Sequence, residues 1–144
     1  MTDPTALAGD LRVVIGQLIR RLRAERRDLS LAQVTVLGRL DRGGPAGVSD
    51  LAAGERVRPQ SMASTVAALL TAGLVSRAPD PGDKRRALIE LTPAGREALA
   101  ADRRRRDDWL AGAIERDLTA RERRVLGEAA ELLARIAEGR DDAR

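Results

Sequence analysis

The sequence predicts a mainly α-helical fold with a small β-wing, in which a winged helix-turn-helix is flanked by N- and C-terminal helices. Apolar residues recur at steps of three and four over much of the chain, which indicates amphipathic helices. The central stretch 48–92 shows the pattern of a short helix, a turn, a longer helix and two strand-like runs. A loop rich in proline, glycine and charged residues joins those two runs, as expected for a β-wing.

The composition limits the core and excludes several kinds of chemistry. At 144 residues, the chain fits one domain, so we expect residues 1–144 to form a single domain. With one tryptophan and no phenylalanine or tyrosine, the core must be aliphatic, and such a core gains from burying more surface in an oligomer. Because cysteine and histidine are absent, disulfides, thiol redox sensing, the usual zinc sites and histidine-based catalysis are excluded. A net charge of +4 permits nucleic-acid binding without demanding it.

We expect a cytoplasmic protein that is not an enzyme and has no cofactor or metal. The stretch 1–12 lacks the basic start and continuous apolar run of a signal peptide. No apolar run approaches the roughly 20 residues that are needed to span a bilayer. Lys84 is the only lysine, and the acids alternate with arginines on predicted helices, as solvated ion pairs do.

Two amphipathic helices precede the central stretch. The first is predicted over residues 6–26, and the second begins after Ser30. Ser30 and Gln33 form a capping-box pattern, in which each side chain can bond the backbone amide of the other residue. The segment 43–45, Gly-Gly-Pro, ends the second helix. The stripe of the first helix is Leu7, Leu11, Val14, Ile15, Leu18 and Leu22, and the core face of the second is Leu31, Val34, Leu37 and Leu40.

The third and fourth helices form the predicted helix-turn-helix. The third runs from Asp50 to about Glu55 with Ser49 as its N-cap. The fourth begins at Pro59 and is ended by Gly73 as its C′ glycine. One face of the fourth helix is apolar, and the other is small or polar without an acid. This second face carries Gln60, Ser61, Ser64 and Ala68, with Thr65 on its flank. Solvated faces usually carry Glu and Lys, whereas a small polar face can lie in a major groove and contact base edges.

The wing is predicted as two strands, 74–77 and 87–91, joined by a turn. Lys84, Arg85 and Arg86 cluster at or just after the tip of that turn.

Two further helices follow the wing. Thr92 and Pro93 suit the N-cap and first position of a fifth helix that runs to about residue 117. Thr119 and Glu122 form a second capping box, which opens a sixth helix.

On these residues the chain resembles the MarR family of transcription regulators (multiple antibiotic resistance regulator type). The family's wing motif is Asp-x-Arg ahead of a Leu-Thr that starts the next helix, and it is matched by Asp83-Lys84-Arg85 and by Leu91-Thr92 with Pro93 and Gly95 beyond. The segment 72–77 matches the family's approach to the wing, and the resemblance covers nearly the whole chain. Family members often have a glycine where this chain has Arg56, which leaves the boundary between the third and fourth helices open.

The resemblance implies a sequence-specific DNA-binding transcription regulator, in the first place a repressor, that binds a palindromic operator as a homodimer. Residues 30–92 would bind DNA, with the fourth helix in the major groove and the wing arginine in the neighbouring minor groove. Residues 5–28 and 93–139 would supply the dimerisation helices. Many members release DNA when a small, often aromatic or anionic effector binds between the dimer and DNA-binding regions. The alternative is a helical scaffold that uses the winged helix for protein contacts alone.

The residues expected to contact DNA lie at the start of the fourth helix, on its polar face and on the wing. They are Arg58, Gln60, Ser61, Ser64, Thr65, Lys84, Arg85 and Arg86. Arg58 could reach a phosphate or a guanine. Arg85 suits a narrow minor groove, where negative potential is concentrated. Asp83 is unusual in a DNA-facing loop because a carboxylate repels phosphate; it is a turn residue, a partner that orients Arg85, or both.

Two other features invite a functional interpretation that we do not favour. Four arginines in a row, 103–106, resemble a nucleic-acid patch, but successive helical residues project about 100° apart and cannot share one face. A solvated helix with local ion pairs is therefore expected. Trp109 is expected to pack at the dimer or domain junction rather than to stack on a ligand.

Overall fold

The computed structural model describes residues 2–139. The elements in this range are α1 (Pro4–Ala24), α2 (Leu31–Gly43), α3 (Val48–Glu55), α4 (Pro59–Thr71), β1 (Val75–Pro79), β2 (Ala87–Leu91), α5 (Pro93–Asp117) and α6 (Ala120–Glu138). This order confirms the predicted mainly helical fold with a small wing. The chain forms two compact units, which divide between Arg106 and Asp107. None of the helices described combines the length and the apolar character that crossing a bilayer requires.

The first unit is built around an aliphatic core. Helices α2, α3 and α4, both strands and the first half of α5 contribute to it. Its buried members are Leu29, Val34, Val36, Leu37, Leu40, Leu51, Ala52, Met62, Val66, Leu69, Val75, Ile89, Leu91 and Leu99. The predicted core face of α2 is confirmed at Val34, Leu37 and Leu40, but Leu31 is 43% exposed and does not belong to it. Leu31 is the first residue of its helix, where periodicity alone does not guarantee a neighbour to pack against.

Side chains fix the starts of two helices as predicted. The hydroxyl of Ser30 accepts a hydrogen bond from the amide of Gln33 at 3.2 Å, and the amide of Ser30 donates to the Gln33 side chain at 2.9 Å. In the second unit the amide of Glu122 donates to the Thr119 hydroxyl at 3.3 Å, and the Thr119 amide donates to the Glu122 carboxylate at 2.7 Å. Both capping boxes satisfy amides that have no partner within the helix.

Three predicted starts are wrong by one or two residues. Helix α1 begins at Pro4 because the carboxylate of Asp3 accepts hydrogen bonds from the backbone amides of Thr5 and Ala6. Helix α3 begins at Val48, so Ser49 lies inside it; the N-cap is Gly47, which has no capping side chain. Strand β1 begins at Val75 and extends to residue 79, because its antiparallel register continues to the last residue pair of the wing.

The turn between α3 and α4 settles the boundary that the sequence left open. Helix α3 ends at Glu55, and α4 begins at Pro59. Between them Arg56 adopts the left-handed conformation with φ 54°, and among the described residues it is the only non-glycine residue with a positive φ. The glycine that relatives often have at this position would suit the same conformation, since a side chain there costs roughly 1–2 kcal/mol.

One threonine joins the end of α4 to the start of α5. The hydroxyl of Thr92 donates to the carbonyl oxygen of Gly73 at 2.7 Å and accepts from the amide of Gly95 at 3.0 Å. Gly73 has φ 73°, as expected for the residue that ends α4. Gly95 packs against the backbone of Leu74, so that a Cβ atom added to it would collide with the Leu74 carbonyl oxygen. The predicted N-cap role of Thr92 is confirmed.

Helices α1 and α6 are amphipathic but bury none of their side chains within the chain. Large apolar side chains on α1 are 39–57% exposed, and those on α6 are 41–71% exposed. They are Leu7, Val13, Val14, Ile15, Leu18 and Ile19 on α1, and Val125, Leu126, Leu132 and Ile136 on α6. Such contiguous apolar surface is typical of a protein–protein interface.

Candidate nucleic-acid interface

The exposed face of α4 carries the polar residues that the sequence singled out. Pro59 at the first position sets the start of the helix, and Arg58 is the exposed N-cap residue. Met62, Val66 and Leu69 are buried on the opposite side, which confirms the predicted division into two faces. Exposed on the polar face are Gln60, Ser61, Ser64 and Ala68, and Thr65 is half-buried at its edge.

The polar groups on this face are largely free to bind another molecule. Within the described residues, the side chains of Gln60, Ser61 and Ser64 make no hydrogen bond. The hydroxyl of Thr65 donates to the Ser61 carbonyl oxygen at 3.1 Å, which leaves its lone pairs available. No side chain caps the N-terminus of α4, so its first amides can also donate to an anion.

Two aspartates shape the turn of the wing through its backbone. The amide of Gly82 donates to the Asp80 carboxylate at 2.9 Å, and the amide of Arg85 donates to the Asp83 carboxylate at 3.0 Å. The Arg85 Nε lies 4.0 Å from the same Asp83 oxygen, at the outer limit of an ion pair. The main role of Asp83 in the structure is therefore to hold the backbone of the turn. Its negative charge also lies beside the guanidinium of Arg85. The Arg85 side chain is 96% exposed, and Lys84 is exposed as well.

Arg86 is held differently from its two neighbours. Its guanidinium is hydrogen-bonded to the carboxylate of Asp50, in the first turn of α3, and its Nε lies 4.0 Å from Asp80. The hydrogen bond and then the charge of Asp50 raise the pKa of Arg86 above its usual value. The guanidinium lies so close to Gly47 that a Cβ atom on this glycine would collide with it. This geometry does not favour the direct DNA contact expected of Arg86; it indicates a link between the wing and α3.

No local pattern in the sequence indicates the link between Arg86 and Asp50. Asp50 and Arg86 are 36 positions apart, and an aspartate in the first turn of a helix is already explained by the helix dipole.

The four consecutive arginines of α5 do not form a nucleic-acid patch, since each is paired with an acid. The pairs are Arg103 with Asp41 at 3.3 Å, Arg104 with Glu97 at 2.8 Å, Arg105 with Asp28 at 3.0 Å and Arg106 with Asp102 at 2.8 Å. The expectation of local ion pairs on a solvated helix is wrong for two of them, because the acids at 28 and 41 come from the segment before α2 and from α2. These two pairs fasten α5 to the winged-helix core.

The most buried charge of the first unit lies at this junction. Asp102 is 2% exposed, with Arg106 at 2.8 Å and the Nε of Arg26 at 4.0 Å. Burial, and then the positive charge of Arg106, lower the pKa of Arg26. A buried carboxylate needs such partners because its desolvation costs on the order of several kcal/mol.

The fold and this face define a winged helix-turn-helix protein. The sequence signature of the MarR family matches residues 29–87. An HTH-type transcriptional regulator of Mycobacterium bovis is 38% identical to the chain over 141 residues, which cover 96% of this chain and 98% of the relative. A transcriptional regulator from Pseudomonas aeruginosa has a similar solved structure, with a TM-score of 0.82 and 35% identity over 95% of this chain and 96% of that one.

The chain belongs to the MarR family of transcriptional regulators. Its relatives and its fold are those of regulators, which confirms that it is not an enzyme. The fold is also shared by Bordetella bronchiseptica BpsR, whose DNA binding is regulated by 6-hydroxynicotinic acid. That structure has a TM-score of 0.55 and 21% identity, and the similarity covers 88% of this chain and 99% of BpsR.

Proposed function

We propose that this regulator binds a palindromic operator as a homodimer and acts as a repressor. Helix α4 enters the major groove, and Arg85 enters the neighbouring minor groove. The observation that carries the proposal is the exposed, acid-free face of α4, whose free polar groups can contact bases. The wing adds two exposed cations, Lys84 and Arg85, which the negative potential of a minor groove attracts.

The exposed apolar stripes of α1 and α6 are the reason to propose a dimer. We propose that residues 5–28 and 93–139 make the interface between two copies. A single winged helix contacts only one half-site, whereas two copies related by a two-fold axis match a palindrome. Light scattering at micromolar concentration should give twice the mass of the chain, and replacing Ile136 and Leu132 by aspartate should shift that mass towards the monomer.

Control by a small effector fits a second feature of the first unit. A pocket of about 370 Å³ lies between α2, the end of α3 and α5. Its lining includes three cations, Arg42, Arg103 and Arg106, and one acid, Glu55, which is paired with Arg39. Arg103 and Arg106 are paired with acids, but Arg42 has no acid partner among the described residues. The charge of Arg42 suits an anionic effector. We propose that this regulator acts in the cytoplasm.

Selection of bound sequences from a random DNA pool tests the proposal. We expect a palindrome with half-sites about one helical turn apart, which reports both the dimer and the docking of α4. Affinity should fall steeply with salt, as expected when roughly 6–10 phosphates are neutralised. If no sequence is enriched and weak binding is insensitive to salt, the proposal is wrong. The alternative of a protein-binding scaffold would then account for the fold.

A further inference from the structure

The turn of the helix-turn-helix holds a cation at a position that favours glycine. Arg56 follows the last residue of α3 with φ 54°, and its amide donates to the Ala53 carbonyl oxygen at 3.2 Å. The amide of Val57 donates to the Ala52 carbonyl oxygen at 3.0 Å. These two bonds form a Schellman motif, whose left-handed residue is usually glycine because glycine has no Cβ atom to meet the backbone.

The side chain of Arg56 contributes nothing that the fold requires. It is exposed, and among the described residues it forms no hydrogen bond and no ion pair. Both bonds of the Schellman motif use backbone atoms only, so they would form equally well with the glycine that relatives often have here. A residue in a strained conformation without an internal contact indicates a function outside the fold, because such strain occurs mainly at functional sites.

The charges around this turn leave a local excess of positive charge. The carboxylate of Glu55, the acid next to Arg56, is already held by the Arg39 Nε at 2.7 Å. The side chain of Arg58 is exposed and has no acid partner within the part of the chain that the structure describes. No side chain caps the first amides of α4, and this end of a helix carries partial positive charge. The turn therefore presents two unpaired cations beside a positive helix end, which together suit an anion.

We infer that Arg56 binds a phosphate of the operator backbone, a contact that relatives with glycine at this position do not make. The inference rests on the proposed function, in which the first turn of α4 lies in the major groove. Arg56 precedes α4 by three positions and lies outside the helix that enters the groove. The part of the DNA nearest to such a residue is the sugar–phosphate chain at the groove edge, where arginine contacts set the position of a protein without reading bases.

Three substitutions of Arg56 test the contact. Arg56→Gln keeps the strained backbone and removes the charge, Arg56→Lys keeps the charge, and Arg56→Gly removes the charge and the strain. At about 0.15 M salt, Arg56→Gln and Arg56→Gly should each bind the operator about fivefold more weakly for each half-site, since affinity scales with salt to a power of about 0.9 for each phosphate neutralised. Arg56→Lys should stay within about threefold of the wild type, because lysine also binds phosphate as a point charge.

The salt dependence and the selected sequence identify the kind of contact. In plots of the logarithm of affinity against that of salt, the slope should fall by about 1 for each half-site in Arg56→Gln. Arg104→Gln is the matched control: it removes the same charge from α5 and should leave the slope unchanged. Selection from a random DNA pool should yield the same operator for Arg56→Gln as for the wild type. A relaxed preference at one base pair would show a base contact and overturn the assignment to phosphate.

Arg56→Gly separates the DNA contact from a structural role, because it should change stability and DNA binding in opposite directions. At one protein concentration its thermal unfolding midpoint should rise by about 1–4 °C while operator binding weakens. The competing explanation is that Arg56 stabilises the negative C-terminal end of α3. It predicts a lower midpoint in Arg56→Gly and an unchanged salt slope in Arg56→Gln, and that result would overturn the inference.

The wild-type titration distinguishes failure of the inference from failure of the proposed function. If the wild type binds no operator, the proposed function and the phosphate contact are both refuted. If the wild type binds tightly and Arg56→Gln and Arg56→Gly bind equally tightly, the contact alone is refuted.

Discussion

The guanidinium of Arg86, where the wing turn ends, is hydrogen-bonded to the carboxylate of Asp50 in the first turn of α3. The Arg86 side chain is 41% exposed and that of Asp50 is 62% exposed, so water screens the pair and it contributes little to stability. Its consequence is geometric: the arginine next to Arg85 is directed towards the helix-turn-helix, and the wing is tied to α3 at that point.

The first prediction is that Arg86 positions the wing and does not contact DNA. Asp50→Asn and Arg86→Ala should each weaken operator binding by a few-fold, and the double variant should bind no more weakly than the weaker of the two single variants. The dependence of affinity on salt should not change in Arg86→Ala, whereas loss of a phosphate contact would reduce the slope by about 1. Titrations at several salt concentrations measure both. If Asp50→Asn tightens binding, Arg86 is released to contact DNA and the positioning role is wrong.

The second prediction concerns the wing tip. Arg85→Ala should weaken operator binding roughly 5- to 150-fold, because an arginine contact in a groove is worth about 1–3 kcal/mol. Arg104→Ala is the matched control, since it removes the same charge from an arginine that is paired with Glu97 on α5. Fluorescence anisotropy with labelled operator compares them. Equal effects of the two substitutions would remove the wing from the mechanism.

The third prediction tests the backbone contact at the start of α5. Gly95→Ala should lower the free energy of unfolding by about 1–3 kcal/mol, since the new methyl group would meet the carbonyl oxygen of Leu74. Gly112→Ala, in the same helix, is the control: its Cβ atom meets nothing within 4 Å. It should raise stability by roughly 0.5–1 kcal/mol. Urea unfolding followed by circular dichroism distinguishes them, and a neutral Gly95→Ala would contradict the close packing.

The fourth prediction concerns the left-handed residue between α3 and α4. Arg56→Gly should raise the free energy of unfolding by about 0.5–1 kcal/mol, because glycine relieves the steric cost of φ 54° but loses entropy on folding. Arg56→Val should lower it, since a β-branched side chain fits this conformation poorly. The order glycine, arginine, valine in thermal unfolding midpoints is the expected outcome, and any other order argues against the left-handed turn.

The fifth prediction is a pH dependence in the second unit. Hydrogen bonds from the Thr119 amide and hydroxyl hold the pKa of Glu122 below its ordinary value. A carboxylate with a lowered pKa in the folded state stabilises the protein above the unfolded-state pKa, about 4.3, and loses that contribution as pH falls through the folded-state pKa. NMR titration should show the lowered pKa in the wild type and a smaller shift in Thr119→Ala. An unchanged pKa in that variant would exclude the hydroxyl as a cause.

Local patterns predicted the parts of the fold that local chemistry determines. The capping box at Ser30 and the start of α4 at Pro59 depend on residues within a turn of each other, so the sequence displays them directly. The two faces of α4 followed in the same way from helical periodicity. The start of α3 was missed because Gly47 caps it without a side chain.

The features that the sequence did not reveal join distant positions. Nothing near Arg86 indicated that Asp50 would hold it, and the pair of Arg105 with Asp28 spans 77 positions. Charged residues on a helix surface can find many partners, and only the packed fold selects one. The exposure of Leu31 has the same origin, since periodicity orients a side chain but does not supply the neighbour that would bury it.

The hydroxyl of Thr92 has a mechanical consequence. Its oxygen atom donates a hydrogen bond to the carbonyl oxygen of Gly73, just after α4, and accepts one from the amide of Gly95, in the first turn of α5. At the same place Gly95 packs so closely against the backbone of Leu74 that no side chain would fit between them. These contacts couple the first turn of α5 to the C-terminal end of α4. In the proposed complex, a tilt of that first turn would therefore change the angle at which α4 enters the major groove.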